Sequence, residues 1–394
     1  MSIAEVEYDP FSAQIYSDPY PTYRWLREHA PVHYSPQRDL WAISRHEDVI
    51  AVTRDWATFS STCGADIDEL GLHFTAPGSF IDADPELHDK LRAVVHAPFT
   101  PKVLRARVTP IVEAAVEERL SALAGDDLAD FAQDFAWPLA VRVIAELLGL
   151  PREDLPRVKL LGENIARRVP GIVAPPPAAL SALAEVIAYL RGMLAQRRGA
   201  PSMDMLSMIA SASVDGAPIG DEAAGIATLL LIAGIEPVAS AIGNALLLLA
   251  EHPEQRAWLA EHPEATAQAF EEVVRFESPG QHVRRVSTRD VEMHGRTIPK
   301  GSYVVIIYGS ANRDERRYEH AERFDIRREH KRNLAFGDGI HHCLGAPLAR
   351  LEGEIVLRAI LRELPDYEIA GPVERFNSHL NRGIQRLPLR QNRP

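Results

Sequence analysis

The stretch Phe336-Gly337-Asp338-Gly339-Ile340-His341-His342-Cys343-Leu344-Gly345 decides how the rest of the chain is read. It is a glycine-punctuated loop that delivers one cysteine to the start of a helix. Glycines let a backbone turn tightly and approach a flat ligand closely. Just beyond, Pro347 falls in the first helical turn, where proline is tolerated. A helix N-terminus offers unpaired N–H groups and a partial positive charge, and both favour a thiolate. Taken alone, Cys343 reads first as a buried structural cysteine, and the adjacent His341 and His342 invite a zinc site. Zinc needs further ligands at set spacings. The only other cysteine, Cys63 in Ser60-Ser61-Thr62-Cys63-Gly64, lies far upstream without a paired motif and reads as a passive small residue.

Working outward, the 394 residues are 46% hydrophobic and 25% charged, which suits a globular protein with a sizeable core. A net charge of −12 argues against a nucleic-acid binder, since phosphate neutralisation needs clustered Lys and Arg. No apolar run reads as a membrane span, and the first residues do not form a signal peptide, so the expectation is a cytoplasmic protein with no membrane partner. Two cysteines make no disulfide framework.

The early part mixes short strands (Val32 to Ser44) with helices, and Pro101 to Glu277 is nearly all helical. Within it, Val169 to Leu180 is a Pro-rich connection between two helices. Asp221 to Glu251 is apolar almost all round, which places that helix inside a large protein. Val291 to Ile307 has the β-branched residues and turns of short strands, and an irregular section runs from Ala311 to Gly345. A helix returns over Pro347 to Leu364. With no internal repeat and no linker, the chain reads as a single domain over residues 1–394.

The cysteine loop matches F-G-x-G-x-H-x-C-x-G at all six fixed positions, and by it the chain resembles the cytochrome P450 family. The resemblance extends from about Asp9 to Arg390. It implies a mainly α fold with small β-sheets, with haem b held between the long central helix and the cysteine loop. It implies Cys343 as the axial thiolate that pushes electron density onto iron. Glu272-Val273-Val274-Arg275 sits where the family carries its structural E-x-x-R pair; three-residue spacing puts both side chains on one helix face. Asp84-Pro85-Glu86-Leu87-His88-Asp89-Lys90-Leu91-Arg92 resembles the haem-propionate segment. Together with Arg285 and His341 it implies four propionate ligands: His88, Arg92, Arg285 and His341. Taken singly each is an ordinary surface charge; burying two carboxylates requires such partners. Ala311-Asn312-Arg313-Asp314 and Glu322-Arg323-Phe324-Asp325 complete the resemblance.

One element departs from it. Where the family's central helix carries A-G-x-[D/E]-T, this chain reads Ala233-Gly234-Ile235-Glu236-Pro237. The acid is kept and the threonine, whose hydroxyl helps to deliver protons during oxygen activation, is proline. Proline lacks the hydroxyl and the N–H and kinks a helix. Either Pro237 fits a distortion already present there, or protons arrive by another path through Glu236 and water or through a substrate hydroxyl. Ser240, one turn on, is a weak substitute.

The resemblance implies a monooxygenase acting on a small or medium natural-product intermediate, free or tethered to a carrier protein, in secondary metabolism such as antibiotic biosynthesis. Cys63 to Phe80, Val169 to Leu180, Gln281 to Val283 and Gly383 to Ile384 fall in pocket-lining segments, whose composition suggests a roomy apolar pocket. Arg167 and Arg168 face an acidic substrate or, more simply, solvent. Electrons would come from a separate ferredoxin and ferredoxin reductase, steered to Lys102, Arg105, Arg107 and Arg350, with the enzyme a monomer. An oxidative coupling, ring-forming or peroxide-driven enzyme is the alternative on the same fold, motivated by Pro237. A haem sensor without turnover is a third reading, against which the retained Glu236 argues.

Overall fold

The computed structural model describes residues 7–68, 78–125, 127–329 and 331–391. Its architecture is the expected one: a mainly helical body with small sheets at the periphery. Helices form where apolar residues recur at helical spacing. In Leu87–His96, for example, His88, Leu91 and Val95 point inward. The largest core cluster gathers Trp137, Phe131 and Phe135 with the leucine run Leu246 to Leu249.

The long apolar segment is two helices rather than one, Glu222–Ala233 and Glu236–Glu251. The interruption falls at Gly234, where the chain runs hard against the helix Trp137–Leu148. A Cβ there would lie 2.6 Å from Ile144 Cγ1 and 2.9 Å from the Leu230 carbonyl. The Ile235 N–H turns back to the Ile232 carbonyl at 3.2 Å, a three-residue rather than four-residue bond. Pro237 is the second residue of the restarted helix, so its missing N–H is one that a helix start leaves unpaired anyway. Of the two sequence readings of Pro237, the structure favours the one in which proline fits an existing break.

Two helical stretches, Pro177–Gly199 and Glu222–Glu251, are long and apolar enough to cross a membrane, a length the sequence reading did not assign to any apolar run. In the second, 72% of the most apolar window is inside the protein, as in a core helix. The first lies along Leu155–Ala166, and the expected connection between these two helices spans residues 167–176.

Five strands form the main sheet, in the order Val32–Ser35, Leu40–Ile43, Tyr303–Ile306, Val283–Ser287 and Phe59–Ser60. Antiparallel pairing sets Arg285 opposite Val304. A hairpin of Glu374–Arg375 and Ile384–Arg386 carries residues 376–383 as a loop back toward the central helices. The E-x-x-R helix, Thr266–Phe276, packs on the helix that follows the cysteine, Ala346–Glu363. Arg275 grips Glu272 through two bonds, Nε to Oε2 at 2.6 Å and Nη2 to Oε1 at 2.8 Å. It also donates to the carbonyls of Asn312, Ala321 and Arg323 at 2.8, 3.0 and 3.2 Å. Glu272 further accepts the Asp325 N–H and the Arg328 Nε, so the pair is buried with its partners in place.

Candidate cofactor site

The loop that carries the cysteine is fixed from both ends. The Cys343 N–H donates to the Phe336 carbonyl at 2.9 Å, and Asp338 accepts from the Gly339 N–H at 2.7 Å while pairing with Arg54 and Arg332. Gly339 has φ +67°, and a Cβ there would sit 2.6 Å from the Thr53 carbonyl oxygen, so side chains are excluded on two counts. Cys343 precedes the helix Ala346–Glu363. Burial pushes the free thiol pKa up, and the Gly345 and Ala346 N–H groups with Arg92 and Arg350 act against that rise. Although protein surrounds it closely enough for burial to dominate, the Cys343 side chain is itself exposed. Ala233, in the interior helix pair, is exposed as well. Both therefore border open interior space.

His88, Arg92, Arg285 and His341 come together although they lie on three separate segments, the helix Leu87–His96, the strand Val283–Ser287 and the cysteine loop. The His88 and His341 rings are 4.6 Å apart, and Arg285, His88 and Arg92 all bear on His341 electrostatically. Burial first, then those three neighbours, push the His341 pKa down to about 2. Burial also lowers the pKa of Arg92 and of Arg285. Neither arginine has an ion-pair partner among the described residues: Arg92 donates to the His342 carbonyl at 2.6 Å and Arg285 to the Arg284 carbonyl at 2.7 Å. His88 is buried with Nδ1 on Asp89 and Nε2 unpartnered. His341 Nε2 meets Ser61 Oγ at 3.0 Å. Two desolvated guanidiniums without carboxylates, beside two imidazoles, form an anion site that lacks its anion. That donor set, next to a cysteine bordering interior space, fits a flat ligand with a soft metal and carboxylate arms.

On the other wall Glu236 is buried. Burial raises its pKa; the Asn381 and Ser378 side chains, which reach the carboxyl, and the more distant Arg168 and His379 act the other way. Its Oε1 has no hydrogen-bond partner among the described residues. Ser240 does not take up a relay position: its hydroxyl is packed where a side chain on Gly383 would go, 2.1 Å from that Cβ.

Several side chains do not stand where the sequence reading put them. Arg168 is buried rather than solvated and pairs with Asp68 at 3.3 Å, while Arg167 is exposed. Arg350 pairs with Glu271 and lies over the Phe336 ring at 4.4 Å, which takes it out of a free basic patch. Lys102, Arg105 and Arg107 are exposed without ion pairs among the described residues. Residues 69–77 of the expected lining segment Cys63 to Phe80 lie outside the described residues. The described lining is not simply apolar. Asp66 meets His379 at 2.6 Å, Asp68 meets Arg168, and His282 stacks on His379 at 6.2 Å. No local pattern signals this cluster, because Asp66 and His379 are 313 residues apart in sequence.

The family model for cytochrome P450 matches residues 196–365. Cytochrome P450 130 of Mycobacterium tuberculosis is 36% identical over 387 residues, covering 94% of this chain and 94% of that protein. Among solved structures, the cytochrome P450 PksS of the Bacillus subtilis 168 bacillaene polyketide synthase superposes with a TM-score of 0.88 at 29% identity, over 98% of this chain and all of that one (100%). P450BioI, solved with an acyl carrier protein bearing hexadec-9Z-enoic acid, gives 0.87 at 28% identity, over 96% and 99% of the two chains.

Proposed function

The chain belongs to the cytochrome P450 family, and from that premise we propose that it is a haem-thiolate monooxygenase in which Cys343 is the axial ligand and His88, Arg92, Arg285 and His341 hold the propionates. Members of the family bind haem and act as monooxygenases on small molecules, with electrons from redox partners. The observation that carries the residue assignment is the pair of arginines, Arg92 and Arg285, with no ion-pair partner among the described residues, gathered with His88 and His341 beside a cysteine just before a helix start.

Bound haem supplies oxygen activation; the chain supplies the rest. Arg92 and Arg285 neutralise two carboxylates in a desolvated setting, where charge-assisted bonds are strong. The Gly345 and Ala346 N–H groups favour the Cys343 thiolate. Burial favours the protonated form of the Glu236 carboxyl, at the start of a mostly apolar helix.

The substrate is a natural-product intermediate, a reading supported by likeness to a polyketide-synthase P450, and a carrier-tethered form is supported by the carrier-bound neighbour. A ferredoxin is the electron donor, and exposed Lys102, Arg105 and Arg107 support an acidic partner docking there. The working form is a single cytoplasmic domain. The missing hydroxyl at Pro237 favours a second reading, oxidative coupling or peroxide-driven chemistry on the same fold.

Spectral titration of the ferric holoprotein with soluble metabolites tests this. A saturable shift of the haem band identifies a free substrate class, and product analysis then separates hydroxylation from coupling. A protein with intact thiolate ligation that shifts with no free compound but does shift with acyl-loaded carrier protein has a tethered substrate. No shift with either refutes the natural-product reading.

A further inference from the structure

We propose that Asp89 holds His88 as a cation, with hydrogen on both ring nitrogens, so that Nε2 donates to a haem propionate while Nδ1 donates to Asp89. The inference rests on the reading above, and it makes Asp89 a positioning residue that acts through His88.

A neutral imidazole carries one N–H and one bare nitrogen. His88 Nδ1 lies 2.8 Å from Asp89 Oδ1, and a carboxylate only accepts, so the hydrogen sits on Nδ1. Nε2 is buried and has no partner among the described residues. In a neutral ring that nitrogen would be bare, and a bare nitrogen set against a propionate oxygen leaves two acceptors facing each other out of reach of water. Only the doubly protonated ring serves Asp89 and a propionate together, with a charge-assisted bond on each side.

The surroundings admit that charge. Arg92 and Arg285 match the two carboxylates of haem one for one, which leaves the charge of Asp89 for His88 to balance. The neighbouring Lys90 does not draw Asp89 away, being held by Asp215 at 2.8 Å and by Glu86 at 3.8 Å. Asp84, just before the helix, accepts from Ser60 Oγ at 2.6 Å and from the Ser61 N–H at 2.9 Å. His341 stands edge-on with its ring 4.6 Å from that of His88, and its Nε2 is turned to Ser61. Phe80 closes another side at 6.3 Å between ring centres. Two things oppose a cation here: burial of the ring, and its place in the first turn of Leu87–His96, where the helix dipole disfavours positive charge. Asp89 is the acid of that same turn, and it offsets both.

Removing Asp89 should therefore not expel haem. Without the carboxylate, a neutral His88 carries its single hydrogen on Nε2 and still donates to the propionate. The cost is one positive charge beside the cofactor. If Asp89 acted only as a nearby negative charge, its loss would raise the ferric/ferrous midpoint potential. If it holds a cation against the propionates, its loss lowers the midpoint, because the positive charge that goes with it lies closer to haem.

The test is made at about pH 8, where an unassisted imidazole is neutral. Nitrogen NMR of histidine-labelled, reduced and CO-bound holoprotein counts the ring hydrogens of His88, whose signals are assigned by their loss in His88→Gln. Wild type is expected to carry hydrogen on both ring nitrogens and Asp89→Ala on one, with haem content and the thiolate CO spectrum retained. Redox titration of the same two proteins is expected to place the Asp89→Ala midpoint below that of wild type. A single hydrogen on His88 in the wild type, two retained in Asp89→Ala, or a midpoint that rises or stays put overturns the proposal and leaves haem ligation by Cys343 standing. A wild type without haem or without a thiolate spectrum overturns the reading beneath it as well.

Discussion

Replacing Arg275 by methionine keeps the aliphatic bulk and removes every charge-assisted bond that the guanidinium makes. Glu272 would lose both bonds of its 2.6 and 2.8 Å grip and retain the Asp325 N–H and Arg328. The Asn312, Ala321 and Arg323 carbonyls would lose a donor each. Breaking a buried pair from one side costs about 3–5 kcal/mol. The carbonyls add to this only where water does not follow, at roughly 1–3 kcal/mol for each left dry. Against a typical total stability of about 5–15 kcal/mol, the pair alone is a large fraction. With a urea slope of about 3 kcal/mol/M or more for a chain of this size, the unfolding midpoint should fall by about 1 M. Urea titration of the Arg275→Met holoprotein, followed by fluorescence and by the haem band, measures it. Haem should be lost along with the fold, because the same arginine ties the E-x-x-R helix to residues 312–323, next to the cysteine loop. A midpoint within about 0.2 M of wild type, with haem retained, would refute the view that this pair locks the core.

Glu352 is buried with Oε2 unpartnered, and burial pushes its pKa up to about 8. From about pH 4.5 to 8 the folded state therefore binds a proton that the unfolded state does not, so stability falls as pH rises through that window, by on the order of 5 kcal/mol. Glu352→Gln should flatten this part of the profile in urea melts taken across the range; an unaltered slope contradicts the burial argument. Gly339→Ala meets both a left-handed backbone and the Thr53 carbonyl, and should purify with sharply reduced haem content by absorbance; full occupancy would mean that the loop has slack. Pro237→Thr should cost only about 0.4–1 kcal/mol, since the helix break is set by Gly234 and Ile235. Its melting temperature should drop by about 4 °C at most, and a far larger fall would place the cause of the break at the proline itself.

The sequence carries the cysteine loop completely, because its geometry is local: glycines at positive φ, an aspartate capping its own loop, a helix starting behind it. His88, Arg92, Arg285 and His341 were legible only through resemblance, since nothing local distinguishes them from solvated charges; the structure gathers them. The helix break was half visible: Pro237 announced a disturbance, but its position three residues earlier follows from Ile144 pressing on Gly234. What the sequence hides is tertiary pairing. Arg168 looked solvated until Asp68, 100 residues away, closed on it, and Arg350 until Glu271 did. The apolar pocket expected from composition carries a polar corner for the same reason.

The central claim is that Cys343 ligates haem iron as a thiolate. The most direct test is the CO spectrum of the reduced protein, compared between wild type and Cys343→Ser. The account requires the thiolate band in the wild type and its loss in the variant, with the fold intact by circular dichroism. A wild type that binds no haem, or the same spectrum from both proteins, would contradict it.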